Sequence, residues 1–317
     1  MKKRHLGNTG FEIAPLALGT NVFGWTIDEQ RSFSILDMFT DADCNLVDTA
    51  DTYSRWAPGN KGGESETIIG NWLKKSGKRD KIVLATKVGA DMGDGKKGLS
   101  KAYIIKAVED SLTRLHTDRI DIYQSHFDDE VTPAAETLEA YTMLIAQGKV
   151  RIVGTSNMSP ARIRESLEYG KKHSDISGYQ TLQPHYNLYD REGYEKNYEA
   201  ICTEYNLGVL CYFPLASGFL TGKYGTEADL SKSPRGGSMG KFMNDRGNRI
   251  LKALDEVAEQ HNSTPGTVAL AWLMARPSVT APIASATSTE QLQQLIDATS
   301  VKLSDDSVIK LDEASKY

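Results

Sequence analysis

Eight short apolar runs, each followed by a longer amphipathic stretch, restrict what this chain can fold into. The runs begin near Pro15, Asn45, Lys81, Ile120, Val150, Tyr179, Gly208 and Ala281. The amphipathic stretches begin near Glu29, Glu64, Ser100, Thr132, Ser159, Glu192, Arg249 and Thr289. Strands that alternate with helices form parallel βαβ units, because parallel strands need a crossover and a helix supplies it. Eight such units predict an α/β chain folded as a (β/α)8 TIM barrel, rather than an open doubly wound sheet. A length of 317 residues suits one barrel domain spanning 1–317. Ahead of the first unit, residues 3–14 read as a β-hairpin turning at Gly7-Asn8-Thr9-Gly10, which predicts an N-terminal cap on the bottom of the barrel. Helix punctuation agrees. Ser100 precedes Ile104, Ile105, Val108, Leu112 and Leu115 at helical spacing, and Ser159-Pro160 pairs a cap with a proline at the first helical position. Asp110, Arg114 and Asp118, four apart, predict a solvated or salt-bridged helix face.

The rhythm breaks between the seventh and eighth strands. That gap holds a Gly/Ser/Lys-rich stretch, residues 217–248, and then two helices over 249–262 and 266–275. A second irregularity, residues 54–63, carries Trp56, Pro58 and three glycines. Loops of this kind in a compact domain are lids or binding loops, so both predict long rim loops. One pattern is a false lead: Gly93, Gly95 and Gly98 fit a dinucleotide fingerprint, but the first glycine lies six residues past Lys87 rather than in a tight turn.

Composition narrows the function classes. A net charge of −5 without an extended basic run argues against nucleic acid. Cys44, Cys202 and Cys211 are scattered with no CxxC spacing, which argues against a disulfide framework or a zinc site and for a reducing, cytoplasmic location. No apolar run approaches the roughly 20 residues of a membrane span. Met1-Lys2-Lys3-Arg4-His5 is basic, but no apolar signal region follows it.

Three strand runs end in lone ionisable residues: Asp48, Lys87 and His126, with Tyr53 five residues after Asp48. In a parallel barrel, strand C-termini converge on one rim, and that rim carries the chemistry. A free phenol near pKa 10 is a poor acid at neutral pH, and a nearby ammonium lowers that value. Lys87 can supply the ammonium, Asp48 can hold it charged, and His126 can bond a substrate oxygen. The set suits carbonyl reduction, with a proton given to oxygen as hydride reaches carbon. No side chain delivers hydride, so a nicotinamide is implied. Each residue also has a plainer explanation as a cap, a solvated lysine or packing. Together, on three successive strands, they point to a catalytic site. A Schiff-base lyase using Lys87 is disfavoured, because Asp48 would keep that amine charged.

At these residues the sequence resembles the aldo-keto reductase superfamily over nearly its whole length. Cys44-Asn45-Leu46-Val47-Asp48-Thr49-Ala50 with Asp51-Thr52-Tyr53 is similar to the family's first signature. Gly63-Glu64-Ser65-Glu66, Ala85-Thr86-Lys87 and Asp121-Ile122-Tyr123-Gln124-Ser125-His126 resemble the segments that follow it. The resemblance implies a catalytic tetrad of Asp48, Tyr53, Lys87 and His126, with Tyr53 as general acid/base. It implies a reduced nicotinamide dinucleotide lying across the rim, NADPH or alternatively NADH. Gly154-Thr155-Ser156-Asn157 and Gln183 match residues on the carboxamide. Tyr212 matches the stacking aromatic, and Gly19 and Thr20 match a pair beneath the ring. Pro214, Leu215, Ser217 and Gly218 resemble the pyrophosphate loop, with Lys223 and Arg235 as phosphate partners. Ser285, Thr287 and Gln291 match the adenosine end. Phe213 stands where the pattern has serine, Leu295 replaces an asparagine, and no residue at Ser285, Thr287 or Gln291 is basic. Trp25 and Trp56 are expected to wall a pocket for a small carbonyl substrate. The alternative is a cofactor-binding, redox-sensing regulatory subunit with little turnover.

Overall fold

The computed structural model describes residues 1–223 and 240–317. A short antiparallel pair comes first, β1 (Arg4–His5) and β2 (Glu12–Ile13). The longer run of strands follows as β3 (Ala17–Gly19), β4 (Leu46–Asp48), β5 (Val83–Val88), β6 (Ile120–Ser125), β7 (Val150–Ser156), β8 (Thr181–Gln183), β9 (Gly208–Cys211) and β10 (Ala281–Ala284). Among the described residues these eight are parallel and close in sequence order, β10 pairing with both β9 and β3. The expected (β/α)8 barrel is therefore present, with each strand starting within two residues of its expected position.

The surrounding helices are α1 (Glu29–Asp41), α2 (Glu64–Ser76), α3 (Lys101–Leu115), α4 (Ala134–Ala146), α5 (Pro160–Lys172), α6 (Glu192–Asn197), α7 (Glu199–Glu204), α8 (Asp245–Gln260), α9 (Pro265–Ala275), α10 (Thr289–Asp297) and α11 (Asp305–Ala314). Ser100 and Ser159 cap α3 and α5 as expected, each accepting a backbone N–H three residues on. Three features depart from the sequence pattern. The stretch after Glu192 is broken into α6 and α7. Helix α8 begins four residues before Arg249, because the Asn244 side chain caps the N–H of Gly247. Helix α11 was not anticipated; its buried positions are only Ser307 and Leu311, too few to mark a helical period. Among the described residues no helix is long and apolar enough to cross a membrane.

Strand alternation sorts the interior into two cores. Leu46, Val83, Ala85, Ile122, Ile152, Leu210, Ala281 and Ile283 point into the barrel and fill its lower part. Their neighbours Val47, Leu84, Val88, Tyr123, Val153, Leu182 and Val209 point outward and pack under the helices. Leu6, Phe11 and Ile13 of the hairpin join the inner cluster, so the hairpin plugs the barrel's N-terminal end as expected. Gly208 makes room for this plug, since a Cβ there would strike Leu6. Above the apolar layer, the same period of two turns Gly19, Asp48, Lys87, Gln124, Ser156 and Gln183 inward at the C-terminal rim.

Candidate active site

Lys87 is completely buried near the end of β5, and its three donors are all used. Its Nζ lies 2.7 Å from Asp48 Oδ2, 2.8 Å from the Thr49 carbonyl and 2.8 Å from Tyr53 Oη. Tyr53 Oη is also 3.3 Å from Asp48 Oδ2. The other Asp48 oxygen, Oδ1, accepts from Gln183 Nε2 at 2.9 Å and from Gln124 Nε2 at 3.3 Å. A buried carboxylate survives only with such pairing. The His126 ring stands beside Tyr53 at 6.0 Å between centroids, and its Nδ1 has no partner among the described residues. The four residues expected to act together are thus brought together.

Burial dominates the proton affinities here. It drives the Lys87 amine down against the pull of Asp48. It drives His126 well below the usual imidazole range, with Lys87 adding to the effect, so the ring is neutral at pH 7. The sequence predicts that Lys87 lowers the Tyr53 phenol; the structure corrects this. Burial and then the Asp48 carboxylate raise the phenol well above its ordinary value, so Tyr53 stays protonated.

The residues expected to meet a nicotinamide line the same rim. Ser156 Oγ donates to the Gln183 carbonyl at 2.8 Å. Asn157, at a positive φ of 47°, donates to the His126 carbonyl at 2.9 Å and accepts from Tyr212 Oη at 2.7 Å. Gly19 faces Ser285, and a Cβ there would lie 2.9 Å from Ser285 Oγ, so the absent side chain keeps this part of the rim open. The Ser285 hydroxyl donates to Asn21 Oδ1 at 2.6 Å, and Gln291 Oε1 accepts from the N–H and hydroxyl of Thr287. Pro214, Leu215, Ser217 and Gly218 form a tight turn after β9, with Ser217 and Gly218 at positive φ of 57° and 101°, and Lys223 follows it. Small residues and strained backbone at a rim suit close approach of an extended anion. Thr20 departs from expectation. The residue is fully buried: its hydroxyl donates to the Asp48 carbonyl and accepts from Ser65 Oγ, and its backbone N–H donates to the same Asp48 carbonyl. Arg235 lies outside the described residues.

Trp25 and Trp56 meet edge to face at 5.6 Å, and Trp56 meets Tyr53 at 6.2 Å. Trp56 is half exposed, as a wall over an open site would be. Four residues escaped the sequence reading. Gln124 precedes His126 by two on one strand, so strand alternation alone would have placed it inward. Asn21 follows Gly19 by two in the same way. Phe127 stacks on His126 at 4.7 Å, and His185 stacks on Tyr212 at 5.2 Å; neither left a signal in the sequence.

A sequence model described as the Aldo/keto reductase family matches residues 15–316. The chain belongs to the aldo/keto reductase family. An uncharacterized oxidoreductase of Bacillus subtilis (strain 168), YrpG, is 35% identical over 96% of this aldo/keto reductase and 92% of its own length. The aldo-keto reductase YhdN of the same organism is 30% identical over 94% of this chain and 89% of its own. A probable voltage-gated potassium channel subunit beta of Arabidopsis thaliana is 31% identical over 95% and 92%. The family and the relatives' names make this aldo/keto reductase an oxidoreductase of the NAD(P)H-dependent, carbonyl-reducing kind.

Proposed function

We propose that this aldo/keto reductase reduces a small aldehyde or ketone to the alcohol with NADPH, and that Tyr53 gives the proton. The bonded set of Lys87, Asp48 and Tyr53 at the barrel rim carries this reading. A bound reduced nicotinamide would supply the hydride. Ser156, Asn157 and Gln183 offer amide-matching donors and acceptors, and Tyr212 offers a flat face. The chain's own work is to hold and move one proton. Tyr53 keeps its proton until a carbonyl oxygen gains negative charge, then donates it. The Lys87 ammonium stabilises the phenolate left behind, and Asp48 keeps that ammonium oriented. Neutral His126 can donate a hydrogen bond to the same oxygen without competing for the proton.

Two measurements bear on the finer parts. NADPH is expected to bind at least about tenfold more tightly than NADH, the size of one charged hydrogen bond or less. Quenching of protein fluorescence by each cofactor reads this, and equal affinities would remove the NADPH assignment. For the pocket wall, Trp56→Ala is expected to raise KM for an aryl aldehyde by about tenfold, the scale of one lost aromatic contact. An unchanged KM would take Trp56 out of the pocket.

The second reading, a cofactor-binding redox sensor, draws on relatives named as probable channel β subunits. The bonded proton donor favours turnover over it. A broad carbonyl panel with no NADPH oxidation would reverse that preference.

A further inference from the structure

Behind the Lys87 strand lies a second group of buried charges that the proton-transfer set does not use. Glu66, on the first turn of α2, is fully buried. Its Oε1 accepts from Thr86 Oγ1 at 2.5 Å, beside Lys87 in sequence, and its Oε2 accepts from Arg114 Nε at 2.7 Å. The Arg114 guanidinium, expected on a solvated or salt-bridged face, takes the second course and turns to Glu66 and Ser111. Asp51 completes the group. Its backbone N–H donates to the Lys87 carbonyl at 3.3 Å, and its carboxyl is buried with only 2% exposure. Yet Asp51 Oδ1 has no partner among the described residues, while Arg114 Nε and Nη2 donate to Glu66 and Ser111.

A carboxyl buried beside a second carboxylate, without a cation of its own, is held more cheaply as the neutral acid. The groups facing it act in both directions. Glu66 on α2 opposes its ionisation, while Arg114 on α3 and Lys87 on β5 favour it. The phenols of Tyr103 on α3, Tyr123 on β6 and Tyr141 on α4 also feel its charge. Burial and then Glu66 push Asp51 up to about 8.

We propose that Asp51 is a positioning residue for the proton-transfer set: its buried carboxyl, opposed to Glu66 and Arg114 behind Lys87, sets the pH range over which Tyr53 gives its proton rather than accepts one. This rests on the carbonyl-reductase reading of the site. Below about pH 8 Asp51 is neutral, and Asp48, Lys87, Glu66 and Arg114 balance in charge. Above that value the Asp51 carboxylate adds one negative charge. It strengthens the Lys87 ammonium and opposes formation of the Tyr53 phenolate, so alcohol oxidation, which needs Tyr53 to accept a proton, is held back.

The test compares Asp51→Asn with wild type in the oxidation direction from pH 6.5 to 9.5. The ratio of variant to wild-type kcat is expected to rise about threefold across that range, as a modest change in electrostatic barrier would give. Glu66→Gln is expected to move the wild-type inflection to lower pH, because it removes the neighbouring negative charge. A ratio that stays flat with pH is what a purely structural role gives, and it overturns the proposal. Infrared spectroscopy supplies a readout that does not need turnover. Wild type at pH 6.5 should show the carbonyl stretch of a protonated carboxylic acid that vanishes by pH 9.5 and is missing from Asp51→Asn. Absence of that band in wild type also overturns the proposal. A wild type with the band but no oxidoreductase turnover would instead defeat the carbonyl-reductase reading.

Discussion

Tyr53→Phe is expected to lower carbonyl turnover by about 10²- to 10⁴-fold, the range for a positioned general acid. In barrier height that is roughly 3 to 5 kcal/mol. The substitution removes one oxygen and keeps the ring, so Trp56 and His126 keep their edge contacts with it. Lys87 loses one of three acceptors but keeps Asp48 and the Thr49 carbonyl. Because the loss falls on proton transfer, cofactor affinity is expected to change less than twofold, within the usual spread of a single exposed contact. Stopped-flow NADPH oxidation and fluorescence titration read the two quantities separately. Turnover within tenfold of wild type would remove Tyr53 from the proton-donating role. A parallel collapse of cofactor binding would instead mean that the hydroxyl organises the rim.

Lys87→Met carries the second large effect, because it acts on stability as well as chemistry. Methionine approximates the length of lysine, so packing is nearly preserved. The cost lies in Asp48, which is 1% exposed and loses its one ion-pair partner among the described residues. Breaking a buried ion pair from one side typically costs about 3 to 5 kcal/mol. Gln183 and Gln124 still donate to Asp48 Oδ1, so the lower end of that range is expected. The urea midpoint of the variant at neutral pH should therefore fall well below that of wild type. Turnover should be lost at every pH. An unchanged midpoint would mean that the Lys87–Asp48 pair contributes nothing of this size to stability.

The path from sequence to site was legible where strand periodicity carried it. Asp48, Lys87 and His126 are legible because each ends an apolar run, and a parallel barrel sends such ends to one rim, whereas Gln183 came only from the family resemblance. Helix α3 was legible because its cap and its apolar spacing agree. What escaped was decided across elements. Thr20 was expected at a ligand surface, but a hydroxyl network with Ser65 turns it away, and Ser65 is 45 residues distant in sequence. Arg114 sits in an i, i+4 charge pattern that predicts a solvated or salt-bridged face, and the partner that pairs with it, Glu66, lies on the neighbouring helix rather than on its own. The Tyr53 phenol was expected to be lowered by its lysine, and burial together with Asp48 outweighed that. Desolvation depends on how many atoms surround a group, and no local stretch of sequence reports that number.

Gln183 is a side-chain amide with two unlike ends. Its Nε2 donates to Asp48 Oδ1 at 2.9 Å and reaches Gln124 Oε1 at 3.5 Å, while its Oε1 can only accept. A ligand amide that donates to Oε1 polarises the whole group and sharpens the donor that Asp48 feels. Asp48 in turn holds the ammonium beside Tyr53. On the proposed reading, a ligand held at the amide end would therefore be linked thermodynamically to the proton through three side chains, and the linkage would run equally in both directions. In this way the acid would respond, through side-chain bonds alone, to whether that ligand has arrived.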